Sequence, residues 1–274
     1  MQPRVRVIAD NDYAGDPDGL VQLAHHLLSP SVDLRLVIGS RLADYDPASS
    51  ELSADASLAA ARTIARLTGR TDVTVLAGAN QPLDSPTAPT TSSAVDALVA
   101  EAMRDDTDLP LFVACGGGLT AIAAAWRREP RIAERLTLVW IGGNEHPDLA
   151  DAPPGALPIE YNASIDPAAT RVVFNESNLG IWQVPRDAYR QVLVSRSELL
   201  TRLLPAGPLG AHLHDALEQF AASLEIWGIT GETVVTLRET SPAEAEAAIG
   251  RAQSAYLAWR KVPAPRRGEF VRLL

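Results

Sequence analysis

Four aspartates lie within nine positions of the N-terminal stretch "VIADNDYAGDPDGL", at Asp10, Asp12, Asp16 and Asp18. Like charges at this spacing repel one another unless a cation or the positive end of a helix compensates them. Carboxylate oxygens are the ligands that hard cations such as Ca²⁺ and Mg²⁺ take, and a carboxylate can also remove a proton from water. The cluster therefore indicates a metal site with a general base more than it indicates a solvated acidic loop.

Apolar segments on both sides of the aspartates indicate the elements that must position them. The residues before the cluster predict a strand, and those after it predict a helix that begins at Asp16-Pro17 with an aspartate cap. Apolar runs predict strands at 4–9, 32–40, 73–78, 109–117, 136–143 and 179–185. Helical patterns occupy 17–28, 52–68, 91–105, 119–127 and 166–175. This alternation predicts an α/β fold with a mainly parallel, Rossmann-like central sheet flanked by helices.

The C-terminal third has a different pattern. Residues 186–230 favour helices, and "SPAEAEAAIGRAQSAYLAWRK" predicts one more capped helix. A length of 274 residues with 46% hydrophobic composition suffices for one sizeable core. We therefore expect a single domain over 1–274, with its core at roughly 4–185 and extra helices in a divergent part at 186–274.

Composition argues against several classes of partner. The net charge is −10, and the basic residues form only two short clusters, so nucleic acid and anionic membranes are not expected to bind. The chain has no apolar run of 18 residues and no signal-peptide pattern at its start. Its one cysteine, Cys115, excludes an intrachain disulfide. Cytoplasmic localisation is the expectation that follows.

Two loop-like stretches follow predicted strands, "GSRLADYDPASSEL" and "NEHPDLADAPPGALPIEYN". Open α/β sheets bind their ligands at the carboxyl ends of the strands. Both stretches are therefore expected to lie on the same side of the sheet as the aspartate cluster.

Two other readings of the cluster fit less well. A calcium-binding EF-hand loop has ligands where this chain has Ala14 and Val21, and it lies between two helices. A phosphatase of the haloacid-dehalogenase type also begins with paired aspartates after a first strand. Such an enzyme needs a lysine and a later acidic pair, whereas Lys261 is the only lysine of this chain.

Four motifs, in order, resemble the inosine–uridine nucleoside hydrolases. "DNDYAGDPD" resembles the D-x-D-x-x-x-D-D signature of that family, with a proline between the last two aspartates. "VTVLAGANQPL", "GGGLTAIAAAWRREPRIAERLTLVWIGG" and "EYNASIDPAATRVVFNES" resemble its third strand, its fourth strand–helix–strand block and its substrate-binding loop. The resemblance covers roughly residues 4–185 and fades beyond.

The resemblance implies a Ca²⁺-dependent hydrolysis of nucleosides and assigns roles to the aspartates. Asp12 would be both a Ca²⁺ ligand and the general base. Asp18 would replace the second paired aspartate as a metal ligand, and Asp16 would bind a ribose hydroxyl. Asp10 would support the site or contact the metal.

Further positions carry over from the same motifs. The main-chain carbonyl of Gly116 would bind the metal. Glu160 and Asn162 match the ribose-binding residues of the family, and Asn144 is a further candidate contact to the substrate. Ser40 stands where the family commonly has an asparagine, so it would be a shorter substrate-binding residue.

The last metal ligand and the leaving-group acid are less defined. The family ends its metal site with an aspartate that often follows a histidine. His214-Asp215 looks similar, but the spacing of the surrounding apolar residues predicts a helix interior there. Glu232, after a glycine and a loop, is the favoured replacement ligand. Tyr161, Trp227 and His146 are the candidates for the leaving-group acid.

The resemblance thus predicts a metal-dependent enzyme that cleaves the N-glycosidic bond of a nucleoside, as a homodimer or homotetramer. Two alternatives stay open at this point. The chain would be a ribosyl-binding paralogue with weak or no hydrolysis, or an N-glycosidase repurposed for an unusual nucleoside. The divergent C-terminal third motivates both alternatives.

Overall fold

A computed structural model describes residues 2–85, 92–146, 148–226 and 241–259. The chain divides into two compact units, Met1–Ile226 and Trp227–Leu274. The expectation of a single domain stays a prediction.

The strands and helices of the described residues follow the predicted alternation. The strands are β1 (Val5–Asn11), β2 (Val32–Gly39), β3 (Thr74–Ala77), β4 (Leu111–Cys115), β5 (Leu136–Ile141) and β6 (Gly180–Val184). The helices are α1 (Asp18–Leu28), α2 (Ser53–Leu67), α3 (Ser93–Ala102), α4 (Thr120–Arg128), α5 (Tyr161–Ile165), α6 (Pro167–Arg171), α7 (Arg186–Tyr189), α8 (Arg196–Glu198), α9 (Gly207–Ile226) and α10 (Pro242–Trp259). A 3₁₀ turn at Pro130–Glu134 and π-helical turns at Val172–Glu176 and Leu199–Leu203 complete the set.

The described strands form one parallel sheet in the order β3-β2-β1-β4-β5-β6. The predicted α/β fold with a parallel central sheet is therefore confirmed. The strand order reverses between β1 and β4, and a crevice opens at the carboxyl ends of strands at such a point. The aspartate cluster follows β1 and the "GGGLT" motif follows β4, so the two motifs meet at this crevice.

Both faces of the central strands β2, β1, β4 and β5 are covered, which explains why these strands are nearly continuous apolar runs, whereas the edge strand β6 is largely exposed. Ile8 and Ile38 point into one buried cluster, together with residues of α3 and α4. Val7 and Ala9 point into a second cluster, with residues of α1 and α2. Successive side chains of β1 point to opposite faces of the sheet because a strand has a period of two. Strand β1 is therefore packed on both faces up to its carboxyl end.

Helix α1 begins differently from the prediction. Pro17 occupies the N-cap position with φ −80° and ψ −1°, and no side chain caps the helix. The predicted cap by Asp16 is wrong, because the proline takes the position that a capping aspartate would need. The Asp16 carboxylate is consequently available for other contacts.

The segment after β6 is largely helical in the described residues, as predicted. Within α9, Leu213 is 3% exposed and packs into the cluster of Val7 and Ala9. In the second unit, α10 begins with a capping box, in which Ser241 N donates to Glu244 Oε2 at 2.9 Å. No helix in the described ranges combines the length and the apolar character that a membrane span requires.

Candidate active site

Asp10 and Asp12 are buried at the carboxyl end of β1, with exposures of 0% and 3%. The Ser40 hydroxyl, at the end of β2, donates a short hydrogen bond to Asp10 Oδ1. Asp10 Oδ2 is also buried, and it has no hydrogen-bond partner among the described residues. Ser40 therefore orients Asp10, and one carboxylate oxygen remains uncompensated beside Asp12.

Asn11, between the two buried aspartates, was not predicted as a site residue. Its Oδ1 accepts from Asp12 N at 2.9 Å, and its Nδ2 donates to Gln22 Oε1 at 3.0 Å. A Cβ on Gly116 would lie 2.4 Å from Asn11 Nδ2, and one on Gly19 would lie 2.8 Å from Asn11 Cγ. Two glycines thus make room for Asn11, which fixes the backbone at Asp12.

Asp16 and Asp18 are accessible to solvent at their carboxylates and line a cavity of about 900 Å³. Protein surrounds both groups on most sides, since they lie in the recess and not on the outer surface. The two carboxyls act on each other, since, after burial, the charge of Asp18 raises the pKa of Asp16. Asp16, predicted to bind ribose, and Asp18, predicted to bind the metal, therefore line the same cavity, whereas Asp10 and Asp12 are not part of its lining.

The pKa values of all four aspartates lie above the ordinary range. Burial raises the pKa of Asp10 to about 7, although its bond to Ser40 opposes the shift. Burial and then the charge of Asp16 raise the pKa of Asp12. For Asp16, burial and the charge of Asp18 raise the pKa to about 8, and burial also raises that of Asp18. In the described part of the chain, no basic side chain is among the principal groups that shift these pKa values.

Gly116 lies at the end of β4, against the first strand. Its N–H donates to Asp10 O at 3.0 Å, and its carbonyl accepts from Asn162 Nδ2 at 2.9 Å. Asn162 Nδ2 also donates to Ile141 O at 2.8 Å. Asn162 thereby joins the ends of β4 and β5, and Gly116 and Asn162 both line the cavity. Each carbonyl oxygen keeps a second lone pair.

Glu160 is 1% exposed and is held on both carboxylate oxygens. Oε2 accepts from Gly143 N at 2.7 Å and from Ala163 N at 3.2 Å, where it caps α5. Oε1 accepts from Tyr189 OH at 2.9 Å. These bonds fix the carboxylate at the cavity, which Glu160 and Tyr189 both line.

Asn144 and Ser40 stand behind the cavity lining. Asn144 Oδ1 accepts from Glu160 N at 2.9 Å, and its Nδ2 donates to Pro158 O at 2.7 Å. Asn144 therefore holds the chain that carries Glu160. The structure places Ser40 against Asp10 and Asn144 against Glu160, so both contact site residues.

Tyr161, a candidate leaving-group acid, lines the cavity and donates from its hydroxyl to Asp46 Oδ2 at 2.5 Å. Burial, and then the charge of Asp12, raises the pKa of Tyr161 above its ordinary value. Asp46 also raises the pKa of Asp12 and Asp16, so it belongs to the same acidic group. The sequence analysis did not identify Asp46, although it predicted that its loop would lie at this side of the sheet.

The other downstream candidates lie apart from the cavity lining or outside the described residues. His146 is exposed, and Nδ1 accepts from Asp148 N at 3.4 Å. His214 is 8% exposed on α9, and neither ring nitrogen has a hydrogen-bond partner among the described residues; Asp215 Oδ1 lies 3.7 Å from Nδ1. Glu232 and Trp227 lie outside the described residues.

The lining of the cavity comes from two parts of the chain. Its polar floor contains Asn11, Asp16, Asp18, Gly116, Glu160 and Asn162. Another part of the lining comes from residues 189–220. The cavity volume is near the upper end of the range of roughly 300–1,000 Å³ for small-molecule sites.

The donor chemistry of the acidic group fits a hard cation. Asp10 Oδ2 is a buried oxygen without a partner, and its neighbour Asp12 is a buried carboxyl. In the described ranges, no three His, Cys, Asp or Glu side chains stand ready in a metal-binding arrangement. Asp16 and Asp18, which line the adjoining cavity, are further carboxylates near Asp12.

The parallel sheet, with an acidic group at its topological switch point, defines an α/β protein whose crevice lies where such folds bind small molecules. A sequence profile of the inosine-uridine preferring nucleoside hydrolases matches residues 7–237, and the chain belongs to this family. The chain is 50% identical over 62 residues to the inosine-uridine preferring nucleoside hydrolase of Leishmania major. That alignment covers 22% of this chain and spans 18% of the length of the relative.

Solved structures share the fold. The inosine-uridine preferring nucleoside hydrolase of Bacillus anthracis matches with a TM-score of 0.59 and 20% identity, over 79% of this chain and 76% of that one. A plant nucleoside hydrolase matches with a TM-score of 0.62 and 21% identity, over 83% and 74%. These likenesses confirm the nucleoside-hydrolase-like architecture that the sequence predicted.

Proposed function

We propose that this chain is a metal-dependent nucleoside hydrolase, which cleaves the N-glycosidic bond of a ribonucleoside or a related nucleoside. One observation carries the proposal. Asp16, Asp18, Glu160 and Asn162 line one cavity, immediately beside the buried Asp12. Family membership supports the same activity.

The reaction adds water across the bond between the anomeric carbon and a ring nitrogen of the base. That bond breaks, and its electron pair leaves with the base, which takes up a proton. The water oxygen bonds to the anomeric carbon, and Asp12 accepts the proton that the water loses.

The ribose is held by the polar floor of the cavity. Asp16 accepts from a ribose hydroxyl, and Glu160, fixed on both oxygens by protein donors, accepts from another. Asn162 offers its side-chain oxygen, because its Nδ2 already donates to the carbonyl oxygens of Gly116 and Ile141. A rigid set of acceptors favours the distorted sugar of an oxocarbenium-like transition state.

Ca²⁺ is the cation that we propose for the site, since every candidate donor is an oxygen. Asp10, Asp12, Asp18 and the Gly116 carbonyl would hold it, with Glu232 as a further ligand from outside the described residues. When bound, the cation would lower the pKa of a water molecule. The same ion would compensate the buried charge on Asp10.

Cellular context and assembly are part of the proposal. Cys115 is buried as a free thiol, in keeping with a reducing cytoplasm. A homodimer or homotetramer follows from the family resemblance. Light scattering on the purified chain measures this state directly.

Sugar release from a panel of purine and pyrimidine nucleosides, with and without a chelator, tests the proposed activity. We expect the Asp12→Asn variant to lose at least about 100-fold in kcat, the lower range for a lost general base. Asp72→Asn is the control, because Asp72 is a surface residue that pairs with Arg70 at 2.9 Å, remote in sequence from the site. Nucleoside cleavage that survives both chelation and Asp12→Asn would contradict the proposal.

A ribosyl-binding protein without hydrolysis is the second candidate function. It is supported by the hydrogen bonds of the two tyrosines that line the cavity in the described part of the chain. The hydroxyls of Tyr161 and Tyr189 donate to Asp46 and Glu160, so neither is free to protonate a leaving base. Under this alternative, Asp16→Asn weakens nucleoside binding in calorimetry, while the wild type releases no sugar.

A further inference from the structure

The part of the cavity lining that comes from residues 192–220 is largely apolar, and we call it the wall. Six side chains form this wall, contributed by the loop after α7, by the π-helical turn and by α9: Val192, Val194, Leu199, Leu203, Leu217 and Phe220. Val192 is 85% exposed and Val194 is 57% exposed. A contiguous group of accessible apolar side chains is unusual on a globular protein and commonly marks a binding site.

The polar side chains that also line the cavity beyond the floor are engaged with protein groups. Tyr161 OH donates to Asp46, Tyr189 OH donates to Glu160, and Gln22 accepts from Asn11. At the rim, Arg202 and Glu198 pair with each other at 3.6 Å. The six apolar side chains of the wall themselves carry no hydrogen-bonding group.

From this distribution we propose that the preferred aglycone is a large, apolar aromatic ring system, seated against the wall of residues 192–220. The inference rests on the proposed function, since it takes the sugar to lie on the acidic floor. The group that contacts the wall is then the aglycone of the same molecule, which leaves with the ring nitrogen when the glycosidic bond breaks.

Desolvation explains the preference. Hypoxanthine and uracil carry carbonyl and N–H groups at their ring edges, and these groups lose their bonds to water when they enter an apolar recess. An apolar ring loses few hydrogen bonds to water, and the burial of its apolar surface favours binding. The size of the cavity, about 900 Å³, leaves room for substituents on that ring.

Two ribosides of benzimidazole separate recognition from leaving-group chemistry. The 5,6-dimethyl compound has two additional methyl groups, which make the base a slightly poorer leaving group and add apolar surface. We expect its KM to be roughly tenfold below that of the unsubstituted riboside, because each buried methyl group contributes favourably. Inosine is the polar reference and should show the highest KM of the three.

Variants of the wall test where the methyl groups bind. Val192→Ser and Phe220→Ser should raise the KM of the dimethyl riboside roughly tenfold and change that of inosine little. Val192 is largely exposed, so its replacement does not threaten folding. Leu193→Ser is the matched control, since Leu193 is 88% exposed and does not line the cavity.

Each outcome decides the inference. Equal KM values for the two benzimidazole ribosides, alongside active cleavage of inosine, overturn it and leave the proposed hydrolase intact. A changed oligomeric state in Val192→Ser with an unchanged KM assigns the wall to an interface between copies and also overturns it. If no riboside is cleaved, the proposed function fails, and calorimetry with the two benzimidazole ribosides tests the inference. Tighter binding of the dimethyl compound supports it. Equal or absent binding overturns it.

Discussion

At the residue scale, the buried carboxyl of Asp10 depends on one hydroxyl. Ser40 donates to Oδ1, while Oδ2 has no hydrogen-bond partner among the described residues. A buried carboxylate with unmet bonding capacity is costly unless a cation or a proton compensates it. Ser40 is therefore a positioning residue for the acidic group.

Ser40→Ala removes the only hydrogen-bond donor to the Asp10 side-chain carboxyl among the described residues. We expect the free energy of unfolding to fall by roughly 1–3 kcal/mol, the cost of an unsatisfied buried group. The pKa of Asp10 should rise further, because its bond to Ser40 holds that pKa down. Urea denaturation at pH 8 measures the change. Ser31→Ala removes a hydroxyl whose hydrogen-bond partner among the described residues is the partly buried Ser29 hydroxyl, so it should cost much less. Equal losses would contradict the role of Ser40.

The sequence predicted which residue types gather at this end of the sheet, but it did not predict what each side chain touches. Asp16, Asp18, Glu160 and Asn162 were named from motifs, and the structure places all four at the cavity. Ser40 lies against Asp10 and does not line the cavity. The sequence could not predict this contact, because a serine in a loop does not indicate which way its hydroxyl points. Asn11 and Asp46 were missed because their partners are brought to them only by the fold.

At the scale of elements, close packing between β2 and α2 fixes the loop that carries Ser40. A Cβ on Gly39 would lie 2.4 Å from the backbone nitrogen of Leu58 in α2. Real Cβ atoms do not approach a backbone so closely, so the helix can rest on the strand only where a glycine stands.

Gly39→Ala should force α2 away from β2 and lower the free energy of unfolding by roughly 1–3 kcal/mol, the usual cost of overpacking. Gly78→Ala is the matched control, because Gly78 ends the neighbouring strand and its Cβ would lie 3.4 Å from the nearest atoms. The midpoint of urea denaturation compares the two variants. Equal midpoints would show that the contact with Leu58 relaxes without cost.

Strands were more predictable than helix details. Each predicted strand overlaps an observed one, because a buried parallel strand reads as an apolar run that ends at a glycine or a polar residue. The predicted helix over 166–175 is instead α6 followed by a π-helical turn at Val172–Glu176. Asp166 caps α6 by accepting from Ala169 N at 3.0 Å, which separates it from α5. Such a break follows from tertiary contacts as much as from local sequence.

At the scale of the whole molecule, the net charge of −10 and the acidic group make stability depend on pH and on cations. The pKa of Asp10 is about 7 and that of Asp16 about 8, against an ordinary value of 3.8. A raised pKa means that the folded state holds its protons more tightly than the unfolded chain. This contribution to stability is complete below about pH 4 and is lost as the pH rises toward 8.

Ca²⁺ should therefore stabilise the chain more at pH 8 than at pH 5.5, because it replaces protons that are still bound at the lower pH. At a concentration of 100 times Kd, binding adds about 2.7 kcal/mol, which corresponds to roughly 5–10 °C in Tm for a chain of this size. Thermal melts with Ca²⁺ or with a chelator at each pH measure the gain, and other titrating groups cancel in the comparison. An equal gain at both pH values would argue against carboxyls with raised pKa as the ligands.

The cavity draws its acidic floor and its apolar wall from separate parts of the chain. The floor comes from residues 11–22 and 116–162, and the wall comes from one stretch within 189–220. A mutagenic library confined to residues 192–220 would sample new leaving groups while the proposed sugar-binding residues, and Tyr189 that holds Glu160, stay constant. Gene duplication followed by drift in the same stretch would give natural lineages an equally short route to new substrates.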